Sequence, residues 1–134
     1  MLAVGTEPQR DAGDAALGPR PEGTAEVRLG ETERLERRFH AAMMRVYLEA
    51  ASLGYHSARS IEMVRECGGV AIAHEILAAD QVHRGLVELF LLGRLDLAVE
   101  YQVLLPQFEP LFSPDERRTA QLRIGRARRL GSKL

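Results

Sequence analysis

Glycine and proline cut this chain into pieces, and the pieces decide what it can fold into. Between residues 31 and 134, breaks fall at Gly54, the Gly68-Gly69 pair, Gly93, Pro106 and Pro114. In the intervals before Gly93 and after Pro114 apolar residues return at spacings of three and four, and the stretch between Gly93 and Pro106 is apolar nearly all round. Strict alternation of polar and apolar residues occurs nowhere, and β-branched residues are sparse. The prediction is an all-α fold, a compact bundle of about five to six short helices. Aromatic residues make up 5% of a chain that is 46% hydrophobic, so aliphatic side chains and alanine must build the core.

Residues 1–30 are different. They hold five Gly and three Pro with no periodic apolar face. A disordered tail is predicted there, followed by a single helical domain over residues 31–134.

The first helix is predicted from about Glu33 to Leu53, capped by Thr32, with Leu35, Phe39, Ala42, Val46, Ala50 and Leu53 on one stripe. A second runs from Ala58 to Cys67, capped by Ser57, with Ile61, Val64 and Cys67 inward. The glycine pair stops it. A short helix follows over Val70 to Ala78, and another over Val82 to Leu92 with Leu86, Leu89, Phe90 and Leu92 inward. Asp96 is placed as the cap of a fifth helix, apolar nearly all round and so the most buried. Pro106 to Phe112 is expected as an extended connector docking Phe108, Leu111 and Phe112. Ser113-Pro114-Asp115-Glu116 has the form of a capping box with proline at the first helical position. It opens a last helix whose inner face is Ala120, Ile124, Ala127 and Leu130.

From about Leu35 to Leu130 the sequence resembles a helical domain of bacterial proteins that is found alone or attached to restriction- or defence-type proteins. The segments that carry the likeness are Arg38 to Tyr47, Gly68-Gly69, the GRLDLAVE stretch from Gly93 to Glu100, and Leu104 to Ile124 with its LFSPDE core. The resemblance implies an accessory module near nucleic-acid transactions and assigns no catalytic residue.

Chemistry-bearing residues give little else. His40, His56, His74 and His83 fall on four different predicted elements. His74-Glu75 is followed by its next histidine nine residues on, not the four a zinc-binding helix needs. Surface or interhelical histidines are expected, with no metal and no cofactor. Cys67 near a helix C-terminus reads as core, because a nucleophilic thiol favours the opposite end. Arg94, Asp96 and Glu100 form a polar cluster beside the most apolar helix. Such a carboxylate pair suits acid–base or metal chemistry. The favoured alternative has Asp96 capping and Glu100 paired with an arginine such as Arg94. No catalytic residue is assigned, and the chain is read as not an enzyme.

Charge is uneven beneath a net of −1. Residues 31–113 carry 12 acidic and 8 basic side chains, whereas residues 114–134 carry 7 basic and 2 acidic. Arg117, Arg118, Arg123, Arg126, Arg128 and Arg129 are therefore candidates to contact nucleic acid or an acidic partner. Arginines near a helix C-terminus also complement the dipole. A helix-turn-helix over Ile61 to Leu77 lacks the side chains that read base edges. The leading expectation is a helical interaction module, an accessory subunit or adaptor of a bacterial intracellular complex concerned with phage defence or DNA handling. It would bind a protein partner or a second copy, through a groove lined by the fourth and fifth helices. The alternative is nucleic-acid binding through the basic last helix. No signal-peptide pattern or membrane-spanning run is read, so the cytoplasm is the expected location.

Overall fold

Pro21 starts the first helix, α1 (Pro21–Ser52). A proline fits a first helical position because its missing N–H has no partner there. In this computed structural model residues 21–55, 59–80 and 84–134 are described. The helix opens twelve residues before Glu33, so Thr32 lies inside it instead of capping it, and residues 21–30 are helical. Glu, Ala, Arg and Leu predominate from Glu22 to Leu35, and these propagate a helix once it is nucleated. Residues 1–20 of the expected tail lie outside the described residues. Contacts divide the chain into one unit ending at Glu33 and another over Arg34–Leu134. The helical opening of α1 is the described part of the first. All that follows concerns the second.

Five further α-helices follow: α2 (Ile61–Cys67), α3 (Gly69–Ala78), α4 (Arg84–Leu91), α5 (Val99–Val103) and α6 (Pro114–Gly131). Two 3₁₀ stretches, Leu95–Leu97 and Pro106–Leu111, flank α5. The all-α expectation holds. The connector expected to be extended is a 3₁₀ turn, and it docks Phe108 and Phe112 in the core as expected. Among the described residues no helix is long and apolar enough to cross a membrane.

Two apolar clusters make the core. One joins Phe39 and Met43 of α1 to Val64, Ile72, Ala73, Leu77, Val99, Val103, Phe108, Phe112 and Ala120. The other gathers Val46 and Ala50 with Leu86, Leu89, Leu97, Ala98 and Ala127. The stripe Phe39, Met43, Val46 and Ala50 links both along one helix. Met43 is fully buried though it lay off the expected stripe, whereas Leu53 and Leu92 are exposed. They sit at helix ends, beside the stops at Gly54 and Gly93, where no neighbour covers them. Gly54 and Gly93 have positive φ, the left-handed conformation a helix stop uses.

Two further caps differ from the sequence reading. Ser60, not Ser57, caps α2, its hydroxyl accepting from the Met63 N–H. Ser57 lies outside the described residues. Asp96 caps nothing. It lies in the 3₁₀ turn, and Ala98 precedes α5 without a side-chain cap. Cys67 is exposed, not core, because α2 turns only Val64 fully inward. The capping box at Ser113 and Glu116 forms as expected.

The glycine pair does two separate jobs. Gly68 adopts φ 92° and ψ 143°, a conformation close to glycine-only territory, and a Cβ there would meet nothing. Gly69 has ordinary helical geometry, but a Cβ would stand 2.9 Å from His40 Cα and 3.0 Å from Met43 Cγ. Gly68→Ala is therefore expected to cost about 1–3 kcal/mol through backbone strain. Gly69→Ala is expected to cost about 1–3 kcal/mol through overpacking of α3 against α1. Urea titration gives both values. A double-mutant cycle separates the mechanisms: in a Met43→Ala background, which removes the crowding side chain, Gly69→Ala should cost less than in the parent, and Gly68→Ala should cost the same.

Candidate functional site

The expected polar cluster divides in two. Arg94 donates to Asp96 from Nε (3.1 Å) and Nη2 (3.2 Å), and to Glu49 of α1 from Nη2 (2.5 Å). Glu100 is 3% exposed on α5 and pairs not with Arg94 but with Arg123 of α6, at 3.3 Å. The extended residue Ala98 between Asp96 and Glu100 breaks the shared helix face that a spacing of four implied. The two carboxylates thus answer to different arginines. Side-chain hydrogen bonds from Arg94 hold the Asp96 carboxyl below its ordinary range, and the same pairs push the Arg94 guanidinium further up.

Arg123 also binds backbone. Its Nη1 donates to the Ile76 carbonyl at 2.8 Å, and its Nη2 to those of Leu77 (3.4 Å) and Ala79. These carbonyls lie at the end of α3, where among the described residues the backbone supplies one N–H, that of Ala79 to Ile76 at 3.3 Å. One guanidinium therefore caps α3 and neutralises Glu100 at once. Arg117 does the corresponding job for α5, donating to the Val103 carbonyl at 3.1 Å. Two of the six arginines proposed for a partner are thus engaged in holding the fold, a correction that follows from their position beside the inward Ala120, Ile124 and Ala127. Gln102 is buried on the same helix as Glu100 and donates to the Asp96 carbonyl at 3.0 Å.

The other end of α3 is capped from α1. The Gly69 N–H donates to His40 Nδ1 at 2.9 Å, which fixes that nitrogen as the acceptor. His74 meets Glu116 at 2.5 Å and lies 5.1 Å from the Phe112 ring. Both are interhelical histidines, as expected. His56 and His83 lie outside the described residues. Sequence reading missed the His74 contact because Glu116 already had a role in the capping box. A carboxylate has two oxygens, and here Oε1 accepts from Ser113 while Oε2 meets His74.

These contacts set a pH dependence. Burial opposes ionisation of Glu116, but the Ser113 N–H and then His74 outweigh it and hold the carboxyl below its usual range. Asp96 is lowered too. A carboxyl with a depressed folded pKa contributes stability above its unfolded value, near 4, and loses it as pH falls through the folded one. At the other extreme, burial, Glu88, Glu100 and Tyr47 push the Tyr55 hydroxyl up to about 12. Its contribution is complete below an unfolded pKa of about 10 and is lost as pH rises toward the folded value. Urea midpoints should accordingly fall below pH ~4 and again above pH ~10. Tyr55→Phe should flatten only the alkaline limb. An unchanged alkaline limb in that variant refutes the Tyr55 assignment.

What remains outside is the solvent face of α6. Arg118, Leu122, Arg126 and Arg129 are exposed and stand opposite the buried Ala120, Ile124, Ala127 and Gly131. Leu122 is 65% exposed. Arg118 pairs with Asp115 at 3.0 Å, both well exposed. Arg126, Arg128 and Arg129 make no ion pair among the described residues. Leu130, expected inward, is partly exposed because Gly131 takes the inner position, against the Phe90 ring. Of α5, which was expected to line a groove with the fourth helix, Val99, Glu100, Gln102 and Val103 are buried and Tyr101 is half-buried. Among the described residues no group of three or more His, Cys, Asp or Glu could hold a metal ion. No family model, no curated protein and no solved structure matches this chain.

Proposed function

We propose that the chain is a non-enzymatic helical interaction module, an accessory subunit or adaptor. One contrast carries this reading. The residues best suited to chemistry, Glu100, Asp96, His40 and His74, are engaged in holding helices together, while the outer face of α6 leaves Arg126, Arg129 and Leu122 without partners among the described residues. Groups fixed in structural pairs are poor general acids and bases, and an unengaged basic face suits recognition. The setting we propose, a bacterial cytoplasmic complex concerned with phage defence or DNA handling, rests on the resemblance of the GRLDLAVE and LFSPDE segments. Size-exclusion chromatography with light scattering, joined to a pull-down from the cells of origin after nuclease treatment, tests the module. A strict monomer that retains no protein overturns it.

The second reading is nucleic-acid binding, favoured by the unpaired Arg126, Arg128 and Arg129. With Arg123 and Arg117 turned to the fold, Arg118, Arg126, Arg128, Arg129 and Lys133 remain on α6 and its end. Five phosphate contacts at most would give a log–log salt slope no steeper than about −4.5. Titration of duplex and single-stranded DNA against salt measures it. Affinity that is absent at low salt, or unchanged when the arginines become alanine, rules it out.

A further inference from the structure

We propose that the solvent face of α6 is a docking seam for an acidic amphipathic helix of a partner protein. The proposal rests on the interaction-module reading and adds the chemistry of the partner.

Spacing is the first argument. Arg118, Leu122, Arg126 and Leu130 follow one another at intervals of four and are all solvent-exposed, with Arg129 beside them. Such a row forms a continuous ridge inclined to the helix axis, and ridges of this kind enter the grooves of another helix. At 1.5 Å per residue the row is about 18 Å long, roughly three turns of a partner. Other apolar residues are exposed near the C-terminal end of α6. Phe90 lies against Gly131, and the next residues of the chain, Leu91 and Leu92, are 55% and 52% exposed. Leu134, past the end of α6, is 85% exposed.

Charge is the second. The acidic residues of α6, Asp115 and Glu116, sit in its first turn, facing Arg118 and His74 respectively. The last turns carry Arg126, Arg128 and Arg129 with no carboxylate to meet them among the described residues. Cations flanking an apolar row select glutamate and aspartate on the facing helix, as charged residues beside a coiled-coil seam do.

The alternation of the row decides among polyanions. A phosphate backbone gains nothing from Leu122 at the centre. A lipid surface requires a broad apolar face to immerse, and here Arg126 interrupts the row itself. A helix with one apolar residue per turn between carboxylates matches both kinds of residue.

The test replaces Leu122 by a photo-crosslinking p-benzoylphenylalanine in the full-length protein in its cells of origin, with Leu48 on the exposed side of α1 as the control position. Crosslinked peptides are then mapped by mass spectrometry. The expected product is one segment of a different protein, acidic and amphipathic at helical spacing, formed at Leu122 and not at Leu48. R126E/R129E should reduce it about tenfold, as should raising salt on purified components. Both arginines are exposed, and an unchanged far-UV circular dichroism spectrum confirms that the variant is folded. Crosslinks to nucleic acid, lipid or a second copy overturn the proposal, as does a yield indifferent to R126E/R129E. A protein segment that is basic or lacks helical periodicity overturns the chemistry and leaves the module reading standing. Absence of any protein product at both positions overturns both.

Discussion

Arg123→Met should destabilise the protein by about 3–5 kcal/mol, the usual effect of removing one partner of a buried ion pair. The pair in question is well enclosed, with side-chain exposures of 14% for Arg123 and 4% for Glu100. The substitution takes the guanidinium away from the buried Glu100, and it also removes the side-chain donor from the carbonyls of Ile76, Leu77 and Ala79. With natural domains stable by about 5–15 kcal/mol, a loss of this size removes about a fifth of the total or more. It should lower the melting temperature by roughly 15 °C or more. E100M/R123M should be less damaging than R123M alone, because no buried carboxyl then stands where its arginine has been lost, and what remains is the missing side-chain donor at the end of α3. Arg123→Lys should fall between, since one ammonium cannot reach a carboxylate and three carbonyls with the geometry of a planar fork. Arg126→Met, on the open face, should change stability by about 0.5 kcal/mol or less. Chemical denaturation of the four variants decides the matter. A cost for R123M no greater than that for R126M refutes the assignment.

The contrast between those two arginines shows where sequence reading stops. Both lie on a helix that was legible in advance from its capping box and from the spacing of Ala120, Ile124 and Ala127. Helical periodicity says which residues share a face. It does not say which distant carboxylate or carbonyl stands opposite a residue at the edge of that face. Arg123 flanks the inner stripe, and its partners lie 23 and about 45 residues away in the chain. Glu100 was recognisable as a charge on an apolar helix, and hence as a residue in need of a partner. Its partner is an arginine, as expected, but not Arg94, the nearest in sequence, because Glu49 and Asp96 hold that one.

Helix ends show the same division. Gly54, Gly93 and Ser113 act through their own backbone or a side chain three residues away, and local sequence revealed them. The two ends of α3 are closed by His40, 29 residues earlier, and by Arg123, 44 to 47 residues later. Nothing local to Gly69–Ala78 announces either. The same holds for Gly69, where the sequence showed a helix stop but not the approach of α1 that forbids a side chain. The candidate face on α6 was legible as charge and sharpened only by subtraction, once Arg117 and Arg123 proved to be caps.

Phe39→Ala should be as costly as the loss of Arg123, at about 3–5 kcal/mol for a fully buried aromatic truncated to a methyl group. Phe39 is 0% exposed, and its ring meets those of Phe108 at 5.0 Å and Phe112 at 5.1 Å, both edge-on. Two of its contacts therefore fall on the segment between α5 and α6, which has few other anchors. The 3₁₀ stretch Pro106–Leu111 has one buried residue, Phe108, and Phe112 directly precedes the Ser113 cap. Emptying the Phe39 site thus loosens the start of α6 and, through it, the contact of Glu116 with His74. Phe39→Leu should cost about 1–2 kcal/mol, since it fills most of the volume and forfeits the edge-on ring geometry, itself worth about 0.5–1.5 kcal/mol per pair. A double-mutant cycle of Phe39→Leu with Phe108→Leu isolates that term as the departure from additivity. Hydrogen exchange gives the spatial half of the prediction. In Phe39→Leu, amides from Phe108 to Arg117 should lose protection ahead of those in α4, which packs against the other cluster. Uniform loss of protection across both clusters is the result that overturns it, because it would make Phe39 a contributor to global stability with no particular hold on the start of α6.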